Sequence, residues 1–166
     1  SVTMAIYVLA AMLAYKEGLL LNVHLKPNEI ENQLKQLGIT TVLHSKERRN
    51  QLPSSLCAIE FEPLESVLSN LNLEDTFDWN FDDADIAAIM NTSATTGQFK
   101  SVPFRWGQIR AHVQASQEVL GKTEQDNWLM VLPLFHVSGL SILMRSLYNG
   151  TTITILPKYD EAKVLE

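Results

Sequence analysis

Residues 92–100, Thr-Ser-Ala-Thr-Thr-Gly-Gln-Phe-Lys, carry four hydroxyl side chains, one glycine and a closing lysine. They follow a short apolar run, residues 86–90, that is typical of a buried strand. Backbone N–H groups, hydroxyl donors and one ammonium group together suit a phosphate chain. We therefore predict a phosphate-binding loop, and the alternative is a surface turn capped by its own hydroxyl groups. Because Lys100 does not follow Gly97 directly, the loop is not a Walker A motif.

The second candidate functional residue is a histidine between a predicted strand and a predicted helix. His136 follows the apolar strand predicted at residues 128–132 and precedes the helix predicted at residues 138–148. In open α/β sheets the carboxyl ends of the strands line the binding crevice. His136 is therefore better placed for a binding site than the other histidines. The alternative is a core histidine whose ring nitrogens are hydrogen-bonded within the protein. Those other histidines are His24, His44 and His112.

The elements that must position these residues alternate between helix and strand. This alternation predicts an α/β fold with a mostly parallel sheet flanked by helices. Helices are predicted at residues 3–16 (stopped by Gly18), 27–37, 64–71, 105–120 and 138–148, with a last helix capped by Asp160. Strands are predicted at residues 19–23, 39–43, 56–61, 86–90, 128–132 and 151–156, with an extended stretch at 101–103 and loop at 44–55.

The composition excludes several classes of protein. The chain has 166 residues, 46% of them hydrophobic, and a net charge of −6, which argues against a nucleic-acid surface. The single cysteine, Cys57, excludes an internal disulfide, fits a reducing compartment and is expected to be buried. The apolar stretch at residues 2–15 is shorter than the roughly 20 residues of a membrane span. With no targeting signal visible, we expect a cytoplasmic protein without a membrane span.

The acidic stretch at residues 73–85 invites comparison with a metal site. Its spacing lacks the glycine and the terminal glutamate of a calcium loop. We predict a solvated connector and no metal site.

Three stretches resemble sequence motifs of the adenylate-forming enzymes, the group of acyl-CoA synthetases, luciferases and peptide-synthetase adenylation domains. Residues 92–100 resemble the family's Thr-Ser-Gly-Thr-Thr-Gly-x-Pro-Lys loop, with Ala94 and Phe99 at the positions that depart from it. Residues 133–139 are similar to its Pro-x-x-His-x-x-Gly motif, and residues 21–30 to a Leu-Asn-x-x-Leu-x-x-x-Glu stretch. The resemblance implies that residues 1–166 are a fragment of the large N-terminal adenylation domain.

The resemblance also implies a reaction and the residues that serve it. A carboxylic acid would be activated by ATP as an acyl-adenylate and then transferred to coenzyme A, with Mg²⁺ as the metal cofactor. His136 would be the catalytic residue, at the wall between the acyl pocket and the path of the thiol, and Ser138 would contact the acyl substrate. The residues implied to bind the phosphates are Thr92, Ser93, Thr95, Thr96, Gly97 and Lys100.

Within the family, residues 127–145 look most like the o-succinylbenzoate–CoA ligases of menaquinone synthesis. This likeness makes Arg145 a candidate counter-ion for a substrate carboxylate, and the alternative is an exposed helix arginine. Two other functions stay open: a ligase for another acyl or aryl acid, and a degenerate, non-catalytic α/β module that binds a nucleotide or a partner. Strand edges left unpaired in a fragment predict self-association, which suggests a homo-oligomer.

In the family, the adenine-binding, metal-binding and ribose-binding motifs and the catalytic lysine lie beyond the region that residues 1–166 resemble. We therefore expect the 166-residue chain by itself to be inactive as a ligase. An ATP–pyrophosphate exchange assay with o-succinylbenzoate measures this, and clear turnover by the isolated chain would contradict the expectation.

Overall fold

A computed structural model of the chain describes residues 1–69, 80–93, 99–156 and 159–165. The helices of this described part are α1 (Val2–Leu13), α2 (Pro27–Gln36), α3 (Leu64–Ser69), α4 (Trp106–Leu120), α5 (Val137–Asn149) and α6 (Glu161–Leu165). Its strands are β1 (Gly18–Leu20), β2 (Thr41–His44), β3 (Cys57–Glu60), β4 (Ile86–Ser93), β5 (Phe99–Arg105), β6 (Asn127–Met130) and β7 (Thr152–Ile155). A 3₁₀ helix, Lys46–Gln51, occupies part of the predicted loop at residues 44–55.

The chain divides into two compact units. The first unit contains residues 1–20 and 79–166, and the second contains residues 21–78. In the first unit, β1 pairs in parallel with β4, β4 pairs antiparallel with β5, and β6 pairs in parallel with β7. In the second unit, β2 and β3 are parallel. Three of these four described pairings are parallel, which confirms the predicted α/β class with mostly parallel strands.

Helix α1 covers the core of the first unit with one face. Ser1 caps it by accepting a hydrogen bond from the Met4 N–H at 3.3 Å, and Val8 and Met12 are buried. The helix ends at Leu13, and Tyr15 turns the chain with a φ of 55°. The predicted stop at Gly18 was therefore wrong, because the left-handed turn falls three residues earlier and Gly18 is free to begin β1.

The core of the first unit lies around β4. Ala87 and Ala88 are adjacent in this strand and both are buried, which is the pattern of a strand covered on both faces. Trp106 at the start of α4 stacks on Phe81, with ring centroids 4.2 Å apart. Helices α1, α4 and α5 and strand β6 supply further members of the same buried cluster, including Val8, Val113, Met130, Leu140 and Met144.

The second unit packs α2 through an apolar stripe. Pro27 begins the helix, and the Glu29 carboxylate accepts a hydrogen bond from the Lys26 N–H at 2.7 Å. Ile30 and Leu34, four residues apart, are both buried. Cys57 in β3 is exposed, so the prediction of a buried thiol was wrong. Cys57 and Ile59 alternate along β3 and share one face of the strand, and both are exposed.

Among the described residues, no helix combines the length and the apolar character that crossing a bilayer requires.

The packing around α5 predicts a large effect for one core truncation. Met144 is 1% exposed, so Met144→Ala leaves a cavity and is expected to lower the free energy of unfolding by about 2–5 kcal/mol. Val119→Ala is the control, because this side chain on α4 is 81% exposed and its truncation should change stability by only about 0.5 kcal/mol. Urea unfolding followed by circular dichroism measures both, and equal effects would contradict the packing described.

Candidate functional site

The candidate phosphate loop connects two antiparallel strands. In the register of β4 and β5, Thr92 lies directly opposite Lys100, and Ser93 lies opposite Phe99. The Thr92 hydroxyl donates to the Lys100 carbonyl oxygen at 3.4 Å. Directly opposed residues project from the same face of a sheet, so the Thr92 hydroxyl and the Lys100 side chain leave the hairpin on one side. The hairpin thus brings together the two ends of the motif.

The remaining residues of the motif are described only in part. Lys100 is exposed and forms no ion pair within the described part of the chain. The backbone of Ser93 belongs to β4. Thr95, Thr96 and Gly97 lie outside the described residues, so their assignment to phosphate stays a prediction.

A second polar pair fixes the register of this hairpin. Asn91 and Ser101 are directly opposed, and the Ser101 hydroxyl donates to the Asn91 side-chain oxygen at 2.7 Å. A slip of one residue would send every side chain to the other face of the sheet. The Asn91–Ser101 pair therefore helps to keep Thr92 and Lys100 on one side. Sequence reasoning missed it because residues 101–103 were assigned only as extended, with no partner strand.

An acidic turn, residues 80–85, holds the base of the hairpin against α4. The Asp82 carboxylate accepts a hydrogen bond from the Ala84 N–H at 2.8 Å, which closes the turn. The carbonyl oxygens of Asp83 and Asp85 accept the N–H groups of Gly107 and Trp106 at 3.1 and 3.0 Å. These N–H groups belong to the first turn of α4, where the helix itself provides no hydrogen-bond acceptors for them.

Two arginines add side-chain contacts to this turn. Arg105 donates to the Ala84 carbonyl oxygen, and Arg110 donates to the Phe81 carbonyl oxygen at 3.2 Å and pairs with the Asp83 carboxylate. The hydrogen bond that Arg110 donates to the Asp83 carboxylate is the main cause that raises the pKa of Arg110. A Cβ on Gly107 would lie 2.9 Å from the Asp83 Cβ, so a larger residue would displace the turn.

The Asp82 and Asp83 side chains are exposed, as expected for a solvated connector. In addition, the backbone of the turn and the Asp83 carboxylate attach α4 to the start of β4. Residues 73–79 lie outside the described residues. Within the described ranges, no group of three or more His, Cys, Asp or Glu side chains is placed to hold a metal ion.

His136 sits where β6 gives way to α5. Its N–H donates to the Pro133 carbonyl oxygen at 3.1 Å, and its own carbonyl oxygen accepts the Leu140 N–H at 3.1 Å. His136 is the N-cap residue of α5, but its imidazole makes no capping hydrogen bond. The imidazole is exposed, and it packs against the Phe135 ring with centroids 4.5 Å apart. The histidine is therefore held through its backbone and presents its ring to the surface, which is the less common of the two alternatives for a lone histidine.

Ser138 and Arg145 share one face of α5 but lie at different ends of β6. They are seven residues apart, which corresponds to about 10 Å along the helix axis. Ser138 is exposed beside His136, beyond the carboxyl end of the strand. The Arg145 guanidinium lies 4.2 Å above the ring of Trp128, near the amino end of the strand, and its Nε has no hydrogen-bond partner. Arg145 is thus half-buried, and its role as a substrate counter-ion stays a prediction.

The whole chain, residues 1–166, matches the family model described as AMP-binding enzyme. The chain belongs to this family. The resemblance to adenylate-forming enzymes is thereby confirmed, and the hairpin and the His136 turn are parts of an AMP-binding enzyme fold.

Individual relatives narrow the comparison. A 2-succinylbenzoate–CoA ligase of Lactococcus lactis subsp. lactis (strain IL1403) is 46% identical over 166 residues, which is 100% of this chain and 36% of that protein. The structure of o-succinylbenzoate coenzyme A synthetase (MenE) from Bacillus subtilis in complex with AMP matches with a TM-score of 0.85 and 30% identity. That match covers 99% of this chain and 43% of the other.

The same Bacillus subtilis enzyme in complex with ATP and magnesium ion matches with a TM-score of 0.82 and 30% identity, over 99% of this chain and 44% of the other. The chain therefore spans less than half the length of each of these relatives.

A short turn before β6 is closed by the side chain of Asp126. The Asp126 carboxylate accepts hydrogen bonds from the Thr123 hydroxyl at 2.6 Å and from the Thr123 N–H at 3.1 Å. These two bonds, the hydroxyl first, lower the pKa of Asp126. The turn fixes where β6 begins, and β6 in turn leads to His136.

Removing the Thr123 hydroxyl should make the free energy of unfolding less dependent on pH in the acid range. Because the pKa of Asp126 is lower in the folded chain, its contribution is present above the unfolded value of about 3.9 and is lost as pH falls through the folded pKa. We expect Thr123→Ala to unfold more easily than the native chain at pH 7, with the difference shrinking below about pH 4. Urea unfolding between pH 7 and 3 measures it.

Thr123→Ser is the matched control, because it keeps the hydroxyl and should keep the native pH dependence. A Thr123→Ala deficit of the same size at pH 3 and pH 7 would contradict the role given to the Asp126 hydrogen bonds.

Proposed function

We propose that residues 1–166 form the N-terminal part of the adenylation domain of an ATP-dependent acid–CoA ligase, with o-succinylbenzoate as the acid. The observation that carries this proposal is the 46% identity to the Lactococcus lactis 2-succinylbenzoate–CoA ligase along the entire chain. The hairpin that brings Thr92 and Lys100 to one face supports it independently, because it offers a hydroxyl and an ammonium group to one ligand.

The reaction has two steps. A carboxylate oxygen of the acid attacks the α-phosphorus of ATP, forming the acyl-adenylate and releasing pyrophosphate. The thiol of coenzyme A then attacks the acyl carbon, forming a thioester and releasing AMP together with the thiol proton. Neither step requires a covalent bond to the protein, so the residues act by positioning and by stabilising charge.

Lys100 and Thr92 would act in the first step. Negative charge builds up on the β-phosphate as pyrophosphate leaves, and a fixed ammonium group and a hydroxyl donor stabilise it. Lys100 has no ion pair to break within the described residues, so its charge is available to the phosphates. Thr92 now donates to the Lys100 carbonyl at a long distance of 3.4 Å, a weak bond that a phosphate oxygen would readily replace.

Magnesium, bound with ATP, would neutralise part of the phosphate charge. The described residues provide no cluster of carboxylates or imidazoles to hold the ion. The protein groups assigned to phosphate are donors, Thr92 and Lys100, which suit phosphate oxygens directly.

His136 and Ser138 would act on the acyl side. Both are exposed at the carboxyl end of β6, where ligands bind in open α/β sheets. The Phe135 ring supports the imidazole from one side, which supports a role as the wall between the acyl pocket and the path of the thiol. The Ser138 hydroxyl would donate to the acyl substrate. Arg145, whose guanidinium lies over Trp128 and whose Nε has no hydrogen-bond partner, would bind a carboxylate of the substrate.

The same proposal covers location and assembly. A single cysteine fits the reducing cytoplasm, where we place the enzyme. β1 and β5 lie at the edges of the described three-stranded sheet, and we propose that such edges support a homo-oligomer.

A chimera tests the function directly. These 166 residues replace the matching segment of the Lactococcus lactis ligase, and ATP–pyrophosphate exchange is measured with o-succinylbenzoate. We expect exchange that depends on this acid. Exchange with a different acid alone would identify another ligase, and no exchange with any acid would favour a non-catalytic module.

Lys100→Ala in the chimera tests the hairpin. Loss of one charge-stabilising donor is expected to lower kcat for exchange by about 10²–10³-fold. Lys122→Ala is the matched control, because Lys122 is an exposed lysine in the connection between α4 and β6. Equal rates for the two variants would contradict the role of Lys100.

A further inference from the structure

Gly139 lies in the first turn of α5. Among the glycines in the described part of the chain, it has the least space for a side chain, because main-chain atoms lie against it. A Cβ at this position would lie 2.2 Å from the Pro133 carbonyl oxygen and 2.7 Å from the Leu132 carbonyl oxygen. Real Cβ atoms essentially never come closer than 3.0 Å to another heavy atom. A methyl group would therefore require a shift of about 0.8 Å, from 2.2 to 3.0 Å, and both neighbours are main-chain atoms that cannot rotate away.

The carbonyl group that Gly139 touches is the one that holds His136. The Pro133 oxygen accepts the His136 N–H at 3.1 Å, and the His136 oxygen accepts the Leu140 N–H at 3.1 Å. The turn of residues 133–136 and the first turn of α5 therefore close on each other around one oxygen atom. Because the imidazole makes no capping hydrogen bond, its position depends on the backbone of this turn and on its contact with the Phe135 ring.

We infer that Gly139 is a positioning residue for His136 and Ser138, and that it acts through the absence of a side chain. The catalytic consequence rests on the proposed function, whereas the structural consequence does not. Glycine is required at position 139 for space and not for a special backbone conformation, because Gly139 is helical and its φ is not in the left-handed region. Gly18 provides a matched control, because a Cβ there would meet nothing within 4 Å and its φ is also not positive.

Nuclear magnetic resonance on the 166-residue chain tests the structural consequence. Gly139→Ala is expected to shift the His136 amide and imidazole resonances while circular dichroism keeps its helical signal. Gly18→Ala should leave the His136 resonances at their native positions. Native His136 resonances in a folded Gly139→Ala chain would overturn the inference.

If Gly139→Ala does not fold, amide hydrogen exchange on the native chain tests the inference. The His136 amide should exchange with deuterium slowly, in the range of the Leu140 amide in the helix, because both donate to carbonyl groups of the same closed turn. Exchange of the His136 amide at the rate of an unstructured peptide would overturn the inference.

The chimera tests the catalytic consequence. Gly139→Ala is expected to lower kcat for thioester formation by about 10–100-fold, in line with the cost of a misplacement of about 1 Å. The KM for ATP should stay unchanged, because the hairpin with Lys100 is a separate segment. A purely structural defect would instead lower the amount of active enzyme and leave the KM for coenzyme A unchanged. A displaced imidazole should raise that KM, because His136 is assigned to the wall beside the path of the thiol.

The two proposals fail in different ways. If the native chimera has no exchange activity, the proposed function fails, and the resonance and exchange data still decide the role of Gly139. If the native chimera is active and Gly139→Ala matches Gly18→Ala in kcat and in the KM for coenzyme A, the positioning role is overturned while the proposed function stands.

Discussion

One backbone oxygen, that of Pro133, determines how strand β6 passes into helix α5. It accepts the His136 N–H and lies against the bare Cα of Gly139, so the chain folds back on itself within seven residues. The rigid start of α5 lets Leu140, Leu143 and Met144 enter the core on one face. The exposed His136 and Ser138 then stand at the end of a fixed element, where under the proposed function small displacements would carry a large catalytic cost.

The hairpin of β4 and β5 and the His136 turn are supported by a common core. Ala88 and Met90 of β4 and Met130 of β6 belong to one buried cluster. At the base of the hairpin, the acidic turn of residues 80–85 satisfies the first N–H groups of α4, and Arg110 pairs with Asp83. Both candidate segments are therefore attached to elements whose other faces are buried. This arrangement suits an enzyme of the AMP-binding family that works by positioning rather than by covalent catalysis.

Much of this organisation was predictable from the sequence, because apolar periodicity and local capping determine most elements. The helix from Pro27, the strand at Ile86 and the cap by Asp160 all follow such local rules, and the structure places them within a few residues of the predictions. The motif chemistry of residues 92–100 also identified a segment whose two ends, Thr92 and Lys100, the structure brings together.

The features that escaped prediction depend on contacts between segments distant in the chain, or on exposure. Local sequence patterns do not predict the pairing of β5 with β4, the ion pair between Asp83 and Arg110 or the contact of Arg145 with the Trp128 ring. The exposure of Cys57 depends on what packs over its face of β3, and sequence periodicity does not supply this information.

The measurement that tests the account most directly is the scalar coupling through the hydrogen bond between the His136 amide nitrogen and the Pro133 carbonyl carbon. Nuclear magnetic resonance on the doubly labelled native chain detects it without any substitution. The account predicts a resolved coupling for this pair, as expected for an N–H···O distance of 3.1 Å. A spectrum that shows the coupling for the Leu140–His136 pair but none for His136–Pro133 would contradict it.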